Sequence, residues 1–316
     1  MGLRTGRDYK IGIAKDNPRG TATVPSFWIP RKEFDFEDKV QTVMDEQGLG
    51  VIEDVSGHRV VAQWAEGVIG GHLKSKPIGL LLLNMLGQVD TAGVGDPYTH
   101  TFIVKQDHVH PSLTISVEDP EGDKAFPLAM LKSLKIVAAI NEYVLFSGDY
   151  ISKKSEALAV TPAYEEDIDF IASEATIKFA DTQAGLDAAD AVNCSSTEIT
   201  MEAEIDKDDV LGSVDPADLN NKAFKATISV VRTMSDATYK DLWKAGTAKA
   251  FRLFLTDGGT PVRSLQIDLN KVLITNWTSA RGLDDKVVET IEMKAAFKIA
   301  DSKMITAILK NAQASY

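Results

Sequence analysis

A chain of 316 residues that is 44% hydrophobic can bury a full core, and at roughly 150 residues per domain it has room for two. Its formal net charge of -12 excludes the basic footprint that a nucleic-acid reader needs to neutralise phosphates. The single cysteine, Cys194, rules out an internal disulfide, and such a chain suits a reducing compartment. No apolar stretch reaches signal-peptide length after Arg4 and Arg7. The longest apolar run, Ile78 to Leu86, is broken by Gly79 and Asn84, so neither export nor a membrane role is expected. The charge is uneven: residues 1–155 carry 17 Lys and Arg against 20 Asp and Glu, and residues 156–316 carry 17 against 26.

From Lys10 to Trp28 the chain is rich in Gly, Pro and Thr and reads as an extended arm. Phe34-Asp35-Phe36-Glu37 opens a period-two run toward Met44. A second strand-like stretch, Val51 to Ile69, turns near Ser56-Gly57, and together they predict an antiparallel pair. Ser75 to Gly87 then reads as a short helix with a Ser cap, Pro77 in its first turn and Gly87 past its end. Its leucines would close the open face of the sheet. Strands follow at Thr99–Lys105, Leu113–Glu118, Leu131–Ala139 and Tyr143–Ser152, with a turn at Asp119-Pro120-Glu121-Gly122.

Lys153 to Pro162 reads as a linker, and the acidic stretch from Tyr164 to Ala191 holds one possible strand at Ala175–Ala180. The order then repeats. Glu198 to Asp206 alternates cleanly, Phe224–Val231 follows, and Ser235 to Gly246 matches the first helix in its Ser start and Gly stop. Further strands are predicted at Ala250–Thr256, Leu265–Leu269, Lys271–Trp277 and Val287–Ile299, and a short helix over Ser302–Asn311. The fold class is therefore mainly β with short helices (α+β), divided as 1–155 and 156–316. Each half combines antiparallel strands with one short helix. One such domain beside an unrelated decoration domain is the alternative.

Residues that chemistry would need are thinly supplied. His100, His108 and His110 lie close together with Asp107 and Asp96, but no Cys pair or His-Glu-x-x-His pattern completes a metal site, and a polar loop before Pro111 accounts for them. Cys194 has no histidine nearby in sequence. Val68-Ile69-Gly70-Gly71 lacks the order of a phosphate loop, and no Gly-x-Ser-x-Gly elbow occurs. Asp206, Asp208 and Asp209 before Gly212 depart from calcium-loop spacing. No enzyme, cofactor or metal is expected.

Gly20-Thr21-Ala22-Thr23-Val24-Pro25, followed by Phe27-Trp28-Ile29-Pro30, resembles the opening of the major tail tube proteins of long-tailed, siphovirus-type bacteriophages. Gly67-Val68-Ile69-Gly70-Gly71, Lys76-Pro77-Ile78-Gly79, Leu86-Gly87, His100-Thr101-Phe102 and Ser112-Leu113-Thr114-Ile115 follow in the order that family uses.

The resemblance implies two tandem tail-tube domains, each a β-sandwich or barrel with one flanking helix, in a structural virion protein of the tail assembled in the host cytoplasm. Its strands would join neighbouring copies into rings that stack as a hollow helical filament through which DNA is ejected without specific binding. With two domains per chain, a homotrimer would give a pseudo-sixfold ring. Partners would be further copies of the chain and the tail tip, tape measure and terminator proteins, with no membrane. Alternation sets Asp35, Glu37, Glu198, Glu202, Glu204 and Asp206 opposite the apolar residues of their strands; in such a tube they are the expected lumen-facing carboxylates, with a solvated outer face as the alternative. Thr21, Pro25, Trp28, Asp45, Glu46 and Glu53, in the arm and the long hairpin, are the expected contacts between rings. The inner tube of a contractile tail or injection machine shares the fold and is the alternative. A carbohydrate-binding β-sandwich module is the second, although Trp28, Trp64, Trp243 and Trp277 are scattered and read as core residues.

Overall fold

The computed structural model describes residues 4–47, 50–52 and 54–316. Its elements in chain order begin with strands β1 (Lys10–Lys15), β2 (Phe27–Ile29), β3 (Arg31–Asp45) and β4 (Gly57–His72), then helix α1 (Pro77–Leu86). Strands β5 (Gly87–Ala92), β6 (Tyr98–Val104), β7 (Leu113–Glu118), β8 (Lys124–Ala139), β9 (Leu145–Ser152) and β10 (Glu156–Ala157) complete the first half. The second half holds β11 (Ala175–Ala180), β12 (Ser196–Asp208), β13 (Asp218–Thr233), helix α2 (Thr238–Ala245), β14 (Lys249–Thr256), β15 (Ser264–Ala280), β16 (Val288–Ala295) and β17 (Ile305–Asn311). The protein is mainly β, with short helices.

The pairing pattern occurs twice. In the first half β3 pairs with β4, β4 with β9, β9 with β8, and β8 with β7, while β1 covers β7 and β10 lies on the start of β8. In the second half β12 pairs with β13, β13 with β16, β16 with β15, and β15 with β14, while β11 covers β14 and β17 lies on the start of β15. Every one of these pairs is antiparallel, so the order of elements read from the sequence corresponds to an order of contacts.

β8 and β15 are long because each serves two sheets. A bulge after Leu131 divides β8, and a bulge after Ile274 divides β15. An extra residue in one strand bends it and raises its twist, which lets one strand pass from one layer to the next. The two halves are also joined. β8 pairs with β12 from Ser133 to Ala139, and β17 pairs with β6 of the β5–β6 hairpin. One hydrophobic cluster runs through both, from Ile11 in β1 to Leu309 in β17.

Both helices stop at a left-handed glycine, Gly87 and Gly246, as their sequences predicted. Their starts differ from expectation. Ser75 does not cap α1; its hydroxyl donates to Asp167, whose other carboxylate oxygen accepts the Lys76 backbone N–H at 2.8 Å. At α2 the Asp236 carboxylate accepts the Thr238 N–H at 2.9 Å; hydrogen bonding from the Thr238 hydroxyl, then from this N–H and from Ser235, pulls its pKa down to about 2. Every residue of α1 is buried, packed on β8, β6 and β5; each leucine contributes about 1.5–3 kcal/mol. Of α2, only Tyr239 is buried.

The C-terminal helix expected over Ser302–Asn311 is instead strand β17. Met304, Ile305, Ile308 and Leu309 fit a helical spacing, but the buried residues are Ile305, Ala307, Leu309 and Asn311, a period of two. Pairing on both sides, with β15 and β6, overrides the local pattern. The extended arm contributes strands β1 and β2, and the linker contributes β10.

Candidate assembly surface

β3 alternates apolar and acidic residues from Phe34 to Glu37, is exposed along most of its length, and among the described residues pairs only with β4. Residues 273–280 of β15 likewise pair only with β16. The eight strands β3, β4, β9, β8, β12, β13, β16 and β15 therefore form one sheet with an unsatisfied ladder at each border. Such borders present rows of free N–H and C=O groups and template further pairing.

At the middle of this sheet the two halves meet. Leu134, Ile136 and Ala138 of β8 lie opposite Met201, Ile199 and Thr197 of β12, all buried. On the other face Lys135 bridges Glu198 at 2.7 Å.

That other face carries the predicted carboxylates. Asp35 is opposite Val68, Val68 opposite Asp149, Asp149 opposite Ser133, Ser133 opposite Glu202, and Glu202 opposite Lys225, so one row crosses both halves. Glu198, Glu204 and Asp206 alternate along β12 on the same side as Glu202, and Glu37 lies two residues from Asp35. All six thus share a face turned away from the core. They are not a bare acidic wall. Lys39 bridges Glu37 at 2.6 Å, Lys225 bridges Glu202 at 2.6 Å, Lys222 bridges Asp206 at 2.8 Å, and Lys132 reaches Asp149 at 3.2 Å. The hydrogen bond from the Lys39 ammonium holds the Glu37 carboxyl below the usual carboxylate range, and the bond to Glu202 raises Lys225. Lys39 shares β3 with Glu37, whereas Lys225, Lys222 and Lys132 reach their carboxylates from neighbouring strands and become legible only with the register.

The residues expected to join rings fall in different settings. Thr21, Asp45 and Glu46 are exposed and Pro25 is half-buried. Trp28 is only 7% exposed, with its ring 6.3 Å from that of Tyr164, so it serves its own chain. Glu53 lies outside the described residues. The hairpin of β3 and β4 also exposes Val43, Met44, Val51, Ile52 and Val55, apolar side chains that sequence reading passed over. Of the four tryptophans expected in the core, Trp28 alone is buried. Trp243 and Trp277 stack at 6.4 Å beside the open border of β15, and Trp64 is half-buried under the Lys207 ammonium.

Reactive groupings are sparse. His100 is held between Thr91, Asn311 and the Gln313 carbonyl, and His108 by the Asn221 carbonyl. Among the described residues no three His, Cys, Asp or Glu side chains are grouped to hold a metal. Burial pushes the Cys194 thiol up, away from the thiolate a nucleophile requires. No described helix is long and apolar enough to cross a membrane.

The distinguishing features are thus sheet borders and charged strand faces, those of a β-rich structural subunit. A family model described as phage tail tube protein matches residues 20–295. The chain belongs to the phage tail tube protein family, which makes it a structural component of a virion tail and implies self-assembly into a tube. No curated protein matches the chain.

Proposed function

We propose that the chain polymerises laterally through its two open sheet borders, three copies to a ring, and that the rings stack into the tube through which phage DNA leaves. The observation that carries this is the β8–β12 junction. It joins two like half-sheets inside one chain in the same way that β15 of one copy and β3 of the next would join between chains. On this reading residues 1–155 and 156–316 are tandem tube domains, and a trimer is pseudo-sixfold.

Closure removes the borders entirely, which is why a barrel is a stable end state for such a sheet. Three copies of eight strands give twenty-four. At about 4.8 Å between strands and a tilt of roughly 40°, the backbone walls stand about 45–50 Å apart, ample for a duplex after side chains are added. The face bearing Asp35, Glu37, Glu198, Glu202, Glu204 and Asp206 would line this bore. Its excess of carboxylate repels phosphate, while the interleaved lysines keep the field moderate, so DNA slides without being held.

Axial contacts fall to the arm around Thr21 and Pro25 and to the β3–β4 hairpin around Asp45 and Glu46. There the exposed Val43, Met44, Val51, Ile52 and Val55 gain burial against the next ring. The tail tip, tape measure and terminator proteins would meet the tube at its ends, with assembly in the host cytoplasm. The role is non-enzymatic. Negative-stain microscopy of the purified protein tests the reading: rings or tubes with threefold or pseudo-sixfold end views are expected, and a chain that stays monomeric at high concentration overturns it.

A further inference from the structure

The two halves can be superposed residue by residue through their pairing, and three marks agree. The bulges of the long strands set Lys132 against Thr275, hence Ser133 against Asn276 and Val137 against Ala280. The bulges of the second hairpin strands set Val61 against Lys222, hence Gln41 against Glu204 and Asp35 against Glu198. Independently, Asp149 is opposite Val68 and Glu292 opposite Ser229; since Val68 faces Asp35 and Ser229 faces Glu198, the same equivalence returns.

The internal junction supplies a register, Glu198 opposite Val137 and Thr200 opposite Lys135. Resting on the reading of lateral assembly above, we propose that β3 of one copy docks on β15 of its neighbour with Asp35 opposite Ala280, Phe36 opposite Ser279, Glu37 opposite Thr278 and Asp38 opposite Trp277.

This external seam is a polar version of the internal one. Where Ile136 faces Ile199 and Leu134 faces Met201 inside the chain, the docked strands bring Ser279 to Phe36 and Trp277 to Asp38. Thr278 stands where Lys135 stands, so the bridge that Glu198 makes has no counterpart at Asp35. Strand β3 carries Glu33, Asp35, Glu37, Asp38 and Lys39 in sequence, charges that discourage indiscriminate edge pairing. The internal seam is part of the fold. The external seam relies on its backbone ladder, and it joins copies only when the ring supplies both borders at once.

Disulfide trapping in a Cys194→Ser background tests the register. Residues directly opposite have Cβ atoms about 4.5–5.5 Å apart and diagonal ones about 7–8 Å, so only the former close a disulfide without distortion. Oxidised tubes of Asp35→Cys/Ala280→Cys, and separately of Glu37→Cys/Thr278→Cys, are expected to give covalent species of two and three chains and none larger. Asp35→Cys/Thr278→Cys is expected to stay single. Tubes that form but trap the shifted pair, or neither in-register pair, overturn the register alone. Failure of the Cys194→Ser parent and the native chain to form rings overturns lateral assembly itself.

Discussion

Gly67→Ala isolates the contribution of β3 to both fold and assembly. Gly67 has φ +151° and lies opposite Phe36. A Cβ there would fall on the Asp35 carbonyl oxygen, with the Asp35 carbonyl carbon 2.6 Å and the Phe36 Cα 2.7 Å away, all backbone atoms that no rotamer can move. Restoring ordinary contact at about 3.5–4 Å with that oxygen means shifting β3 by roughly 2 Å, enough to break the neighbouring ladder bonds. The shift also lifts the Phe36 ring from its edge-on contact with Phe126, 4.9 Å between centroids. Backbone strain of about 1–3 kcal/mol plus part of the burial of Phe36 gives a loss of roughly 3–5 kcal/mol. The control is Gly246→Ala, also at positive φ, 64°, but with nothing within 4 Å of the added Cβ; it should lose only about 1–2 kcal/mol. Urea denaturation gives the two losses, hydrogen exchange at the β3 amides locates the opening, and microscopy reads assembly. Gly67→Ala should expose β3 and form few or no tubes while Gly246→Ala assembles. A Gly67→Ala protein as stable as Gly246→Ala, with protected β3 amides and normal tubes, would refute the reasoning.

Asp16→Ala should lose about 3–5 kcal/mol in urea denaturation, because the buried carboxylate accepts bonds from the Ser112 and Thr114 hydroxyls at 2.5 Å, the Leu128 N–H at 2.9 Å and the Gly20 N–H at 3.0 Å. Burial lowers the pKa of His100 and of His110 below 6.5, so the unfolded chain binds protons before the folded one does. The stability they contribute is full above pH 6.5 and is lost as pH falls through their folded values. Thermal scans across this range should show a falling midpoint, with a shallower fall in His100→Gln. Trp277, half-buried beside the open border of β15, should shift its emission to the blue on assembly; an unchanged difference spectrum in Trp277→Phe would remove that border from the lateral contact.

β12 was legible because every second residue is apolar, and β3 because Phe34-Asp35-Phe36-Glu37 alternates at its centre. The glycine stops of both helices were legible for an equally local reason, the left-handed turn that only glycine adopts freely. What escaped was set by distant partners. Leu265–Leu269 and Lys271–Trp277 read as two strands because Asn270 and Lys271 interrupt the apolar run, yet both halves of β15 are held, the first between β14 and β17 and the second against β16. The strand expected from Leu131 begins at Lys124: its start contains Pro127, which weakens a local strand pattern, yet β7 and β10 draw it into the ladder. The carboxylates of the candidate face could be named from alternation alone, but their lysine partners come mostly from other strands and needed the register.

The contrast between the two seams bears on why one chain should hold two halves. Each independent association loses several kcal/mol of translational and rotational freedom, roughly 4–15, before any contact is counted. In the proposed ring, fusing two half-sheets makes every second junction intramolecular, so that loss is met at folding instead of at assembly. The intramolecular junction can then be apolar and permanent, as Ile136 against Ile199 and Leu134 against Met201 are, without any risk of aggregation, because it is never exposed. The remaining junction is left to open borders on separate molecules, where an apolar edge would be a hazard, and there the chain carries Asp35, Glu37 and Asp38 on one side and Asn276, Thr278 and Ser279 on the other. A six-copy ring built from single halves would need six such exposed junctions. A three-copy ring of this chain needs three, which lowers the number of weak, charge-guarded contacts that must form together for the ring to close.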